Sequence, residues 1–349
     1  MTTARQRIID LLATGRVANL PSVLSNVWLG WALGAFAVTW TWFGPFFDPV
    51  RFLISGLAGA CLYLGGCFLN DWKDAKWDRE HRPERAIPDG RMSSPLAGTI
   101  AAGLLLAGLV LAAAISMPCL VTASVLVIAI VIYTAIHKRT RWAIVPMGLC
   151  RALLYPLGFL AACSYSAPPE DPAGFLGYGD SSHDTSVVLF FGLIEWQTTM
   201  EEVDLINGST IVAITSLGLF AYIAAISLIA RFESRGTLHR SYLIIGLGLI
   251  LVAACAHTYS WFPHHRVPSL LALIPLVTLT IIAARRAPGN VGGAVGSLLA
   301  GIPLLDLVTA GPLAVALFTD HPDSALFWGL LPVVCFLLAL LLQRIAPAT

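Results

Sequence analysis

The chain has 349 residues, of which 57% are apolar and only 12% are charged. That is about half the usual quarter of charged residues, and the mean hydropathy is +0.79. Such a composition excludes a soluble domain, which could not cover its surface, and a disordered chain, which needs low hydrophobicity and high net charge; the formal charge of +1 argues against a nucleic-acid-binding module.

What remains is an all-α, polytopic membrane bundle. A span needs ~20 mostly apolar residues. Reading between charges places spans at 18–40, 52–70, 96–117, 119–137, 143–164, 210–230, 241–258, 267–284, 294–318 and 325–343. The ninth is the weakest, because it contains Pro303, Asp306 and the pair Gly311-Pro312. Nine to ten helices are therefore expected, in one integral membrane domain over 1–349. With the N-terminus inside, alternate connections collect 18 of the 21 Lys and Arg residues on the cytoplasmic side, as the positive-inside rule demands. No cleavage site follows the charged residues Arg5, Arg7 and Asp10, so the N-terminus reads as cytoplasmic or interfacial. One connection is long: 165–209 is acidic, lacks Lys and Arg, and falls on the outer side. Its apolar run Val187–Ile194 is too short to span and suits a helix on the membrane surface. The seven cysteines form no C-x-x-C pair and read as small core residues.

Charge is concentrated in one place. Twelve of the 41 Asp, Glu, Lys and Arg side chains lie between Asp71 and Arg91. There Asn70, Asp74 and Asp78 are spaced i, i+4, i+8, which places them on one helical stripe about 12 Å long. Oxygen ligands of this kind suit Mg²⁺, which keeps several waters and shares phosphate oxygens with its protein ligands. Arg79, Arg82 and Arg85 follow closely enough to neutralise the same phosphates. Pro83, Pro88 and Gly90 stop the helix, and Ser93, Ser94 and Pro95 begin the next one.

This segment resembles the first motif of the UbiA superfamily of intramembrane prenyltransferases, N-D-x-x-D-x-x-x-D followed by R-P-x-P-x-G. Asn70, Asp71, Asp74, Asp78, Arg85, Ile87, Pro88 and Gly90 are in register, with Ala86 where the family has Pro. Tyr133 and Lys138 also match. The superfamily's second acidic motif, D-x-x-x-D, is replaced here by Arg231-Phe232-Glu233, which resembles a divergent, EboC-like branch. The resemblance implies Mg²⁺-dependent transfer of a prenyl group from a prenyl diphosphate to an acceptor within the membrane. Asn70, Asp74 and Asp78 would hold the metal, and Asp74, Asp78 and Lys138 would take part in catalysis. Arg79, Arg82, Arg85, Arg231 and Glu233 would bind substrate. A carrier of lipid phosphate precursors, or a binder that turns the diphosphate over poorly, is the alternative.

Ionisable residues inside a membrane are functional candidates by default. Arg151 and Asp306 are the clear cases, able either to line the cavity or to pair as structural glue. Asn26 is expected on the cavity face of the first span, and Gly30 and Gly34 have the spacing for close helix packing. His257, His264 and His265 show no metal-binding spacing.

Overall fold

The computed structural model describes residues 4–39, 48–164, 200–232, 239–259, 266–317 and 322–345. The run Val187–Ile194, most of the acidic connection, and Glu233 lie outside the described residues. Among those described there is no strand. The helices are α1 (Ala4–Thr14), α2 (Leu20–Thr39), α3 (Pro49–His81), α4 (Ser94–Ile115), α5 (Met117–Ile136), α6 (Ile144–Ala152), α7 (Leu154–Cys163), α8 (Met200–Ala230), α9 (Arg240–Tyr259), α10 (Arg266–Arg286), α11 (Val291–Ala300), α12 (Ile302–Leu317) and α13 (Pro322–Gln343).

Nine helical segments among the described residues are long and apolar enough to cross a membrane. The uncharged α2, 20 residues long, adds a segment of spanning length. The protein is a multi-pass membrane bundle. Leu, Ile and Val side chains such as Val110, Ile128, Leu251, Leu270 and Leu337 face outward, which suits hydrocarbon rather than water.

Local chemistry sets the ends. Asp48 accepts from the backbone N–H of Val50 and Arg51 with Pro49 at the first helical position, and Ser93 accepts from Leu96 N ahead of Pro95. Each satisfies donors that a helix start leaves free. Two spans are broken. α6 and α7 meet at Leu153, and α11 and α12 meet at Gly301. Pro156 and Pro303 fall in the first turns of α7 and α12, where a residue without an N–H is tolerated. The weak ninth span is thus two half-helices, with Asp306 on the second.

α2 and α7 approach backbone to backbone. A Cβ on Gly158 would stand 1.8 Å from Val27 O, and one on Gly30 2.1 Å from Tyr155 O. Gly30 and Gly34 therefore serve close packing, as their spacing implies. At one end of the bundle the connection between α3 and α4 folds back rather than floating in solvent. Ala86, Ile87 and Met92 pack on Phe68, Ala97 and Ala101, and Gly90 turns the chain at φ 76°. Arg91 pins this connection to α1: its Nε donates to Asp10 Oδ2 at 3.0 Å and its Nη2 to Glu84 O at 2.8 Å.

Candidate functional site

The site forms where α3 runs beyond its apolar stretch. Asn70, Asp74 and Asp78 are all buried, with Asp78 only 1% exposed. One helix face therefore carries an oxygen ridge, as the spacing predicts. Cations from distant parts of the chain close on it. Lys138 Nζ lies 2.9 Å from Asp74 Oδ2 and 3.7 Å from Asp78 Oδ1. His137 Nε2 stands 3.0 Å from the same Asp74 oxygen, and its Nδ1 faces Thr134 O. Arg85 Nη1 donates to Asp78 Oδ2 at 2.9 Å. Asp71, a quarter-turn from the ridge, accepts from Arg16 Nη2 at 3.1 Å and lies 3.4 Å from Arg85 Nη1. Lys138 also rests 3.7 Å over the Trp77 ring, a cation–π contact that limits where its ammonium can go.

Asn70 Oδ1 differs from these paired groups: it is buried and accepts no hydrogen bond. Such an atom ordinarily has a partner. Asn70 lines a cavity of about 430 Å³, within the ~300–1,000 Å³ range of small-molecule sites. Arg16, Arg82, Arg85 and Arg231 stand on its polar rim, and the wall turns apolar at Leu126, Ile130, Met147, Leu154, Ile223 and Ile226. A second cavity of about 230 Å³ lies on the other side of Arg82 and Arg85 and includes Asp71, Asp78 and Arg91.

The ridge suits Mg²⁺ by donor chemistry, since all three side chains offer oxygen and one oxygen is unpaired. Among the described residues no three His, Cys, Asp or Glu side chains gather into a cage for a metal. An ion held by Asn70, Asp74 and Asp78 would thus complete its shell with water and phosphate oxygens.

Of the other residues singled out in the sequence, Arg82, Arg85, Arg151 and Arg231 line the large cavity. Arg231 Nη2 also donates to Arg141 O at 2.7 Å, tying the end of α8 to the start of α6. Arg79 does not line either cavity. It lies one residue past Asp78, about 100° round the helix, and is exposed. Asn26 and Asp306 are outside the cavity wall. Asn26 Nδ2 donates to both Asp306 oxygens at 3.0 Å, and Ser25 Oγ and the Tyr155 hydroxyl donate to the same carboxylate. His257 Nε2 stands 3.2 Å from the Tyr155 hydroxyl. This wholly buried cluster joins α2, α7, α9 and α12. Arg151 and Asp306 make no direct ion pair; Arg151 bonds to Ser22 instead. Removing the shared acceptor would strand three buried donors. Asp306→Leu is expected to cost about 3 kcal/mol, read as a lower unfolding temperature in detergent, and Asp306→Asn less.

Arg16, Asn19 and His137 were not among the residues singled out, and Asp71 was named only as part of the motif, with no role. Arg16 has a left-handed backbone, φ 46°, unusual for a side chain with a Cβ. That turn sends α1 away from α2, and the Arg16 side chain reaches Asp71, 55 residues on.

A comparison with curated proteins gives no match. Among solved structures, a study of digeranylgeranylglyceryl phosphate synthase in membranes is 16% identical, with a TM-score of 0.46 over 98% of this chain and 99% of that one. A UbiA homologue from Archaeoglobus fulgidus bound to GPP and Mg²⁺ is 12% identical, with a TM-score of 0.45 over 96% and 99%. The same homologue bound to DMAPP and Mg²⁺ is 11% identical, with a TM-score of 0.42 over 95% and 99%. The profile of the UbiA prenyltransferase family matches residues 29–286. That stretch includes the whole ridge on α3 and the His137–Lys138 pair that faces it, and the chain belongs to the UbiA prenyltransferase family.

Proposed function

We propose that the protein transfers a prenyl group from a prenyl diphosphate to an acceptor inside the membrane, with Mg²⁺ held at Asn70, Asp74 and Asp78. One observation carries the reading: a buried oxygen ridge, faced by cations, contributes Asn70 to a cavity lined by Arg16, Arg82, Arg85 and Arg231 and by apolar side chains, and Asp78 to the cavity beside it. A diphosphate fits the charged rim and an isoprenoid tail fits the apolar wall.

The chain's own residues divide the work. Arg82, Arg85 and Arg231 offer guanidinium groups to the phosphate oxygens. Asp71 and Asp78 hold Arg85, and Asp74 holds Lys138, so these cations are placed before substrate arrives. A bound Mg²⁺ supplies further charge to stabilise the departing diphosphate. As the allylic C–O bond breaks, its electron pair leaves with the diphosphate. Leu126, Ile130 and Ile223 keep water from the carbon left behind, and the acceptor attacks it and loses a proton. The Lys and Arg distribution supports a cytoplasmic N-terminus and a site on the same side.

The test is release of diphosphate from geranylgeranyl diphosphate by the purified protein in lipid nanodiscs. Release that needs Mg²⁺ and stops on chelation supports transfer. Tight binding without release would make the protein a binder, and no binding would point to a carrier of another lipid.

A further inference from the structure

His137 joins two parts of the site. It directly follows α5, and its backbone N–H still donates to Tyr133 O at 2.9 Å. Its ring stacks on Tyr133, one turn back, with centroids 5.1 Å apart and planes 27° from parallel. On one side Nδ1 stands 3.2 Å from Thr134 O. That carbonyl is among the last four of α5, the group that a helix end leaves in need of donors. On the other side Nε2 stands 3.0 Å from Asp74 Oδ2. Both neighbours accept and neither donates, so the ring donates from each nitrogen. The side chain is a strut fixed at both ends, running from the end of α5 to the middle of the ridge.

Asp74 shows what the strut does. Lys138 Nζ reaches the same oxygen, Oδ2, at 2.9 Å. Two donors thus converge on Oδ2, and among the described residues Oδ1 accepts from none. A carboxylate clamped at one oxygen presents the other in a set direction. Mg²⁺ needs this, because it tolerates little error in the placement of its ligands. The two donors are not equivalent. Lys138 is shared: its ammonium also stands 3.7 Å from Asp78 Oδ1 and 3.7 Å over the Trp77 ring, at the end of a flexible four-carbon stem. The imidazole of His137 is short and rigid, with Tyr133, Thr134 and Asp74 around it. It also lines the large cavity, and its side chain is half as exposed as that of Lys138, 14% against 28%.

We propose that His137 is a positioning residue for the metal: by holding Asp74 Oδ2 against the end of α5, it keeps Asp74 Oδ1 as the oxygen offered to Mg²⁺ alongside the unpaired Asn70 Oδ1. The inference rests on the metal site of the prenyl-transfer reading. It adds a residue from outside the acidic motif that sets how tightly that motif binds its ion. Partners of this kind, placed behind a ligand, are worth about 10- to 100-fold in metal affinity.

Binding of Mn²⁺, a Mg²⁺ substitute seen directly by electron paramagnetic resonance, tests this without turnover on the full chain in phosphatidylcholine nanodiscs. His137→Phe keeps a ring to stack on Tyr133 but has no donor, and is expected to raise the Mn²⁺ dissociation constant about tenfold or more. His137→Gln keeps a donor near the place of Nε2 and is expected to stay within about threefold of the unaltered protein, as is Lys138→Met. A His137→Phe protein that binds Mn²⁺ as tightly as the unaltered one overturns the proposal. So does an equal loss in His137→Phe and His137→Gln, which would mean that the residue only supports the fold. A loss of about tenfold in Lys138→Met assigns the hold on Asp74 to the lysine and overturns the proposal even if neither His137 variant folds. No saturable Mn²⁺ site in the unaltered protein overturns both the proposal and the metal site beneath it. The expected Mn²⁺ pattern without any release of diphosphate from geranylgeranyl diphosphate counts against prenyl transfer alone.

Discussion

Asp74→Asn is expected to lower Mg²⁺-dependent diphosphate release by at least about 100-fold, the scale of losing one electrostatic group aimed at developing charge. Asp74 is the middle of the ridge and the anchor of Lys138 at 2.9 Å and His137 at 3.0 Å. The amide keeps the shape and can still accept from Lys138. What it removes is the negative charge that a divalent cation requires. Asp71→Asn is the informative companion. Asp71 faces Arg16 and Arg85 rather than the ridge, so its loss should loosen substrate binding, with a fall of about 10-fold. Radiolabelled diphosphate release, measured for both variants over a range of Mg²⁺, separates the two roles. An Asp74→Asn protein that kept more than about a tenth of the normal rate would remove the ridge from the mechanism.

The largest structural effect is expected at Gly158. Any side chain there places a Cβ 1.8 Å from Val27 O and 2.8 Å from Trp31 N. Both are backbone atoms of α2, so no rotamer relieves the clash and the two helices must part. Gly158→Ala should cost about 3 kcal/mol or more, seen as loss of the folded peak in size-exclusion chromatography or a lower unfolding temperature. Gly103→Ala and Gly248→Ala are the controls: nothing lies within 4 Å of a Cβ at either position. A Gly158→Ala protein as stable as these controls would show that α2 and α7 are not packed as described. The effect should also reach the site, since α2 carries Ser22, the partner of Arg151 on α6, and α7 carries Tyr155, which donates to Asp306 on α12.

Features governed by local rules were legible in the sequence. The ridge follows from helical periodicity alone. The start of α4 at Ser93 follows from capping chemistry, and the span boundaries from the length of chain between charges. The partners of the ridge were not legible in the same way. His137 meets Asp74 across 63 residues, and Arg16 meets Asp71 across 55; no short-range pattern encodes such a meeting. Asn26 illustrates a different obstacle. α2 is uncharged and gathers Ser22, Ser25 and Asn26 on one face, but nothing in its sequence says whether that face meets the cavity or another helix. The face that carries Asn26 turns toward Asp306, and Asn19 and Ser22, near the start of the helix, reach the cavity or its wall instead. Arg151 was visible as an isolated charge in an apolar run. That it has Ser22 and not Asp306 as its partner emerges only once both half-helices are in place.

The 33 residues of α3 measure about 50 Å, whereas the hydrocarbon slab is ~30 Å thick. With the apolar stretch of α3 filling the slab, the surplus would stand as a mast above the acyl chains and carry Asp74 and Asp78 to the depth of the phospholipid head groups. On the proposed reading, a lipid diphosphate sliding in from the surrounding leaflet would meet the ridge at its own native depth, and no polar head would be dragged through oil. A bilayer a few ångströms thicker would submerge Asn70 first, which couples this protein's performance to the thickness of the membrane that houses it.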